Sequence, residues 1–303
     1  MEGRPRRSVL YMPGSNERAL EKAKTLPADA LILDLEDSVS AARKAAARQI
    51  AAQYIATTRV LETRPLLYVR INALDTPLWE DDLAGVMSAR PDGILLPKAR
   101  SGEDVHKLSI ALHHAEERAG ASTGATRIIA IATEVAISLL KLDTYVSASA
   151  RLEGLTWGAE DLAAEVGAQT NREADGNWTS PYRLARDLCL FTAVAADVQP
   201  IDTVFVDFRD EQGFRREASA AARDGFTGKM AIHPNQVAAI NEIFTPKPDE
   251  VARAQAIVKA FADTPDAGVL AIGGRMVDRA HVKGAERVLA RAKGVSDPPG
   301  QIP

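Results

Sequence analysis

Two carboxylates follow two apolar runs in this chain. Ile128–Thr133 is almost wholly apolar and largely β-branched, and Glu134 comes directly after it. Leu152–Trp157 follows the same logic and leads through Gly158 and Ala159 to Glu160 and Asp161. Runs of this length and composition read as buried strands. Parallel strands bury both faces, so polar side chains collect at their tips. Two neighbouring tips then offer two carboxylates to one point in space, and unpaired they would repel each other. A divalent hard cation removes that repulsion. Mg2+ takes one or two carboxylates and keeps positions for substrate and water. The same residues can also be read as two acids in first helical turns, interacting with helix N-termini.

Further polar residues close other apolar runs. Arg70 ends LLYVR, where a guanidinium could grip a carboxylate or an enolate oxygen, or pair with Glu36 or Asp37 next door. Lys98 in LLPKA could partner Glu134 or touch substrate. Pro13–Asn16 follows the first run, Asp34, Glu36 and Asp37 the second, Asn72 the third, Asp207 the seventh and His233 the eighth. His233 precedes a proline and could simply fix that turn. The set suits a metal with flanking cations and an anionic, oxygen-rich substrate. There is no P-loop, no Ser-His-Asp pattern and no Cys-based metal motif.

These residues need strands to carry them. Apolar runs predict strands at Val9–Met12, Leu31–Leu35, Leu66–Ile71, Gly93–Pro97, Ile128–Thr133, Leu152–Trp157, Asp202–Val206 and Gly228–Ile232. Between them, Glu17–Leu26, Ala41–Ile55, Glu103–Arg118 and Pro181–Val198 show helical spacing. Repeated strand–helix alternation implies a parallel sheet. Eight units in about 240 residues match a (β/α)8 TIM barrel, whose active site lies at the C-terminal ends of the strands. A doubly wound open sheet shares the alternation, but MPGSNERA after the first strand lacks the dinucleotide fingerprint. The expected domains are a barrel over 1–245 and a C-terminal helical extension or lid over 246–303. In that extension Val251–Ala262 and Val282–Ala292 read as helices. TPDAGVLAIGGRMVD reads as an irregular Gly-rich segment and SDPPGQIP as a frayed tail.

Composition excludes several classes. The 303 residues are 46% hydrophobic with net charge −4 and no block of like charge, which argues for a globular chain without a nucleic-acid partner. No run reaches transmembrane length, and Val9–Met12 is too short for a signal peptide, so no membrane partner is expected. The single cysteine, Cys189, lies in an apolar helical run; it suits a packed thiol in a reducing cytoplasm.

RSVLYMPGSNERALEKA, LILDLEDSV, YVRIN, GILLPKA, ATEVA, LTWGAEDLA, KMAIHPNQV and GGRMVDRAHVKGAERVLARA occur in the order and spacing of a known family. From about Ser8 to Ala292 the chain resembles the citrate lyase β-subunit-like acyl-CoA lyases of the HpcH/HpaI aldolase superfamily. The resemblance implies a TIM barrel and an Mg2+-dependent carbon–carbon lyase. Such an enzyme cleaves or forms malyl-, methylmalyl-, citramalyl- or citryl-thioesters from an acyl-CoA and a 2-oxo acid. It implies Glu134 and Asp161 as metal ligands, Arg70 as the substrate arginine, and Glu36 and Asp37 as carboxylates supporting them. Pro13 and Arg18 would lie near the CoA arm. Asp278 in RMVD would be the acid/base group that reaches a neighbouring subunit's site, in a homotrimer or a multiple of one. Otherwise Asp278 caps the last helix. The family's usual Glu-Thr-Ala is Glu134-Val135-Ala136 here. A thioesterase or malate synthase-like outcome, and a β subunit acting on a carrier-protein thioester, remain alternatives.

Overall fold

The structure is a computed structural model that describes residues 4–296. Eight parallel strands close into a barrel: β1 (Ser8–Pro13), β2 (Ala30–Asp34), β3 (Leu66–Arg70), β4 (Gly93–Leu96), β5 (Arg127–Ile131), β6 (Leu152–Thr156), β7 (Gln199–Asp202) and β8 (Gly228–Ala231). β1 pairs with β2 on one side and β8 on the other, which closes the sheet and excludes the open, doubly wound alternative. The helices between them are α1 (Glu17–Ala23), α2 (Lys44–Thr58), α3 (Leu78–Val86), α4 (Gly102–Arg118), α5 (Ala136–Leu139), α6 (Ala159–Val166), α7 (Ser180–Ala195) and α8 (Glu211–Asp224). The chain continues through α9 (Asn235–Phe244), α10 (Pro248–Asp263), β9 (Val269–Ile272), β10 (Arg275–Asp278) and α11 (Arg279–Ser296).

Strand alternation fills the barrel and aims the site. Every second residue points inward. Val9, Ile32, Tyr68, Leu95, Ile129, Ile201 and Met230 pack there as one buried cluster. Two residues further along, the same faces carry Tyr11, Asp34 and Arg70. The lower end of the interior is polar but paired. Arg6 reaches Glu153 and Gln199 at 2.8 Å each, and the Tyr68 hydroxyl donates to Glu153.

Two expectations are corrected. The seventh strand is Gln199–Asp202, not Asp202–Val206. The β-branched run TVFV drew the assignment, but QPID makes the pairing, with Pro200 opposite Leu155 and Asp202 opposite Lys229. Asp207 therefore ends no strand; it lies in the following loop, where its carboxylate accepts the Arg209 N–H. The Gly-rich segment is not irregular. Val269–Ile272 and Arg275–Asp278 form an antiparallel hairpin. Its two-residue turn is Gly273-Gly274, with φ of 56° and 74°, the left-handed pair that a tight hairpin requires.

Arg6–Asn241 forms one compact unit, and the chain from Glu242 onward belongs to a second. The second has its own core, in which Ala254, Ile257 and Phe261 of α10 meet Val277 of β10 and Ala285 of α11. The stretch SDPPGQIP lies outside the described residues except for Ser296, which ends α11. Among the described residues no helix is long and apolar enough to cross a membrane. Cys189 is fully buried in α7, as its apolar setting implies.

Candidate active site

A cavity of about 320 Å³ opens among the C-terminal strand ends. Tyr11, Pro13, Asp34, Arg70, Glu134 and Asp161 line it together with Ile131, Thr156, Met230 and the backbone around Gly158. The barrel thus brings residues as far apart in sequence as Tyr11 and Met230 to one cavity.

Glu134 is 3% exposed, and its Oε2 accepts the Lys98 N–H at 2.5 Å. Burial, then the neighbouring charge of Asp161, pushes its carboxyl up to about 8. Asp161 stands in the first turn of α6, so the helix-start reading of this acid holds. The two readings do not compete, because α6 begins at the strand tip. A buried carboxylate raised by a second carboxylate is a site short of positive charge, and the donors are hard oxygens. That chemistry fits Mg2+.

Gly158 makes the arrangement sterically feasible. Its φ is −121°, open to any residue, but a Cβ there would lie 2.4 Å from Glu134 Cγ. The sequence reading passed over this glycine, though a Gly between a strand and two acids is a visible sign of close approach. We expect Gly158→Ala to fold normally, as read by circular dichroism, and to lose about tenfold in Mg2+ affinity by calorimetric titration. Unchanged affinity would mean that Glu134 can swing aside without cost.

Arg70 is held on three sides. Its Nε and Nη2 donate to the two carboxylate oxygens of Asp34 at 2.7 Å each, and Nη1 is 3.0 Å from Glu36 Oε2. The Tyr11 ring lies beneath it, 5.0 Å from the guanidinium carbon. The salt-bridge alternative is therefore real, but the main partner is Asp34, with Glu36 second; Asp37 pairs elsewhere. Burial works against ionisation of Asp34, yet the Arg70 hydrogen bonds outweigh it and hold the carboxyl below its ordinary range. For Glu36, burial wins over Arg70 and Lys98, and the carboxyl is raised. Tyr11, which the sequence reading also missed, is raised by burial and stays a neutral phenol. Its alternation with Val9 was the available signal.

Lys98 follows β4 with a left-handed φ of 50°. Its ammonium is 2.6 Å from Glu36, 3.1 Å from Asp37 and 3.2 Å from Asp161. It partners Glu134 through its backbone and the other acids through its side chain. His233 fixes its turn by accepting the Asn235 N–H, and its ring stacks on Phe208. Arg18 is exposed on α1 and does not line the cavity.

The family model for HpcH/HpaI aldolase/citrate lyase matches residues 7–234, which is the whole barrel with its strand-end acids. The chain belongs to this family. It is 34% identical to the citrate lyase subunit beta of Leuconostoc mesenteroides subsp. cremoris, over 98% of this chain and 97% of that protein. It is 36% identical to an L-malyl-CoA/beta-methylmalyl-CoA lyase of Cereibacter sphaeroides, over 97% and 96%. Among solved structures it resembles the CitE protein of Mycobacterium tuberculosis in complex with magnesium, acetoacetate and coenzyme A. The TM-score is 0.73 and the identity 29%, over 97% of this chain and 100% of the other.

Asp278 belongs to the second unit, at the end of β10. Its Oδ1 accepts the Ala280 and His281 N–H groups and lies 2.6 Å from His281 Nδ1. It does cap α11. The hydrogen bond from His281 holds this exposed carboxyl below its ordinary range. Within one chain its environment is therefore the opposite of the desolvated setting that a proton donor needs.

Proposed function

We propose that the chain is an Mg2+-dependent lyase that cleaves or forms a 3-hydroxyacyl-CoA, such as a malyl-, methylmalyl-, citramalyl- or citryl-thioester, with a 2-oxo acid as the other product or reactant. The observation that carries this reading is the pairing of buried Glu134 with Asp161 at the cavity that Arg70 also lines. The lyase of Cereibacter sphaeroides supplies the substrate class, malyl-CoA and methylmalyl-CoA, and the similar CitE structure holds magnesium, acetoacetate and coenzyme A.

Glu134 and Asp161 would hold the ion, which supplies Lewis acidity and a template for the carboxylate and adjacent oxygen of the 2-oxo acid portion. In cleavage a base removes the 3-hydroxyl proton, the C2–C3 bond breaks, and its electron pair passes into the thioester enolate. Arg70 lines the cavity with a permanent charge, suited to stabilise that enolate oxygen. Asp34 and Glu36 fix the fork, and the Tyr11 ring supports it from below. Asp278 then delivers a proton to the new acyl carbon, and removes it in the condensing direction. Glu36, Asp37 and Lys98 support the acids. Pro13 and Arg18 flank the path of the CoA arm.

Asp278 would act on a neighbouring subunit, with 246–303 as a lid, in a homotrimer or a multiple of one. On the same hairpin Val269 and Met276 are 53% and 80% exposed, which suits a surface that closes over something. On α7, Leu184, Phe191 and Val194 form an exposed apolar stripe suited to a second copy. Covering Asp278 by another subunit would also supply the desolvation that one chain lacks. A reducing cytoplasm suits the single buried thiol.

The test of the reaction is to incubate the purified chain and Mg2+ with a panel of these thioesters. Release of a 2-oxo acid with acyl-CoA supports the lyase, free CoA points to a thioesterase, and no product sinks the reading. The trans arrangement has its own test. Asp278→Ala and Glu134→Gln chains are each expected to be inactive. Mixed, dissociated and reassembled in equal amounts, they should recover about a quarter of wild-type activity, since one site in four pairs an intact barrel with an intact lid. Mixed oligomers that stay dead place the whole site in one subunit.

A further inference from the structure

Lys98 is a non-glycine residue in the left-handed region, at φ 50°. Such a backbone costs about 1 kcal/mol and persists where the surroundings impose it. Its neighbours show what it serves. The turn points the Lys98 N–H at Glu134 Oε2 and lets the side chain reach the other carboxylates. One residue thereby touches acids from three places: Glu36 and Asp37 after β2, Glu134 after β5, and Asp161 at the start of α6. The second cation nearby, Arg70, is already engaged by Asp34 and Glu36. Lys98 alone therefore brings a full positive charge to Asp161 among the ion pairs described.

We propose that Lys98 is the built-in counter-cation of the metal site: it holds Asp161 and Glu36 in place before Mg2+ arrives and competes with the ion for Asp161 afterwards. This rests on the metal reading above. The ammonium shares the Asp161 carboxylate with the proposed ion, and two cations on one carboxylate repel. Lys98 thus stabilises the metal-free protein and weakens Mg2+ binding, which makes the ion easier to release. The direction is unusual for a residue that supports a metal site, because removal should tighten binding.

The experiment is calorimetric titration of the full-length chain with Mg2+, beside thermal melts with and without the ion. Lys98→Met keeps the length of the side chain and removes the charge. It is expected to bind Mg2+ about threefold more tightly or better. It should also melt lower without metal and gain more in Tm from Mg2+ than the wild type does. Lys98→Arg keeps the charge and should stay near wild-type affinity; it also checks that substitution itself is tolerated. If Lys98→Met folds only weakly, Lys98→Gln gives the same comparison. Equal or weaker Mg2+ binding in both neutral variants, with wild-type binding intact, overturns the inference and leaves the metal reading standing. No Mg2+ binding by the wild type overturns both.

Discussion

Glu134→Gln is expected to lower Mg2+ affinity at least about tenfold, roughly 1.4 kcal/mol, and to abolish measurable turnover. The amide keeps the shape and can still accept the Lys98 N–H, so the fold should hold. What it loses is the charge, in a place where burial has made charge costly. The same physics gives a pH signature. The free carboxyl is held up to about 8, while the ion needs the carboxylate. Mg2+ must therefore displace a proton below that value. Wild-type affinity should rise with pH, by up to about tenfold per unit, and level off above about 8. Glu134→Gln should show no such rise in that window. Asp161→Asn should also lose at least about tenfold in affinity, and its remaining pH dependence should shift downward. The neighbouring negative charge that raises Glu134 is gone. Metal titrations from pH 6 to 9 read all three, and identical curves in wild type and both variants would remove these acids from the metal site.

Arg70→Lys is expected to cost about a hundredfold or more in kcat, roughly 2.7 kcal/mol of barrier, with KM for the thioester little changed. A lysine can satisfy one oxygen of Asp34, but it cannot hold both while also facing Glu36. The cation would be drawn toward the acids and away from the cavity. Asp34 is only 2% exposed, so a stability loss is expected as well, and urea unfolding measures it separately. Turnover close to wild type in the folded variant would show that Arg70 serves to tie β2 to β3 and nothing more.

The first of these residues was visible in the chain because burial leaves a plain trace in sequence. A run such as IIAIAT, apolar and largely β-branched, reads as a buried strand, and an acid at its end has few places to go. The same logic marked Arg70, Lys98 and Asp161, and eight such runs with helices between them imply a parallel sheet of a size that suits a barrel. It failed where local composition misleads. TVFV is more strand-like than QPID, yet pairing with β6 and β8 selected QPID, because a closed barrel fixes register through its neighbours. It also overlooked Gly273-Gly274, whose left-handed turn makes a hairpin of a segment that reads as loop.

The sequence by itself determined which residue types stand at the strand tips, since alternation along a strand follows from local pattern; that the tips converge was decided by the β1–β8 pairing that closes the barrel. Only the tertiary structure decided who pairs with whom. Asp34 rather than Asp37 takes Arg70, because β2 and β3 align those two residues side by side. Glu134 is raised because the closed barrel buries it and α6 brings the charge of Asp161 near it. Lys98 reaches three acids with its ammonium while its left-handed backbone turns its N–H to a fourth, Glu134. Charges in a low-dielectric pocket interact over a few ångströms, and such distances between residues far apart in sequence arise only when the barrel closes.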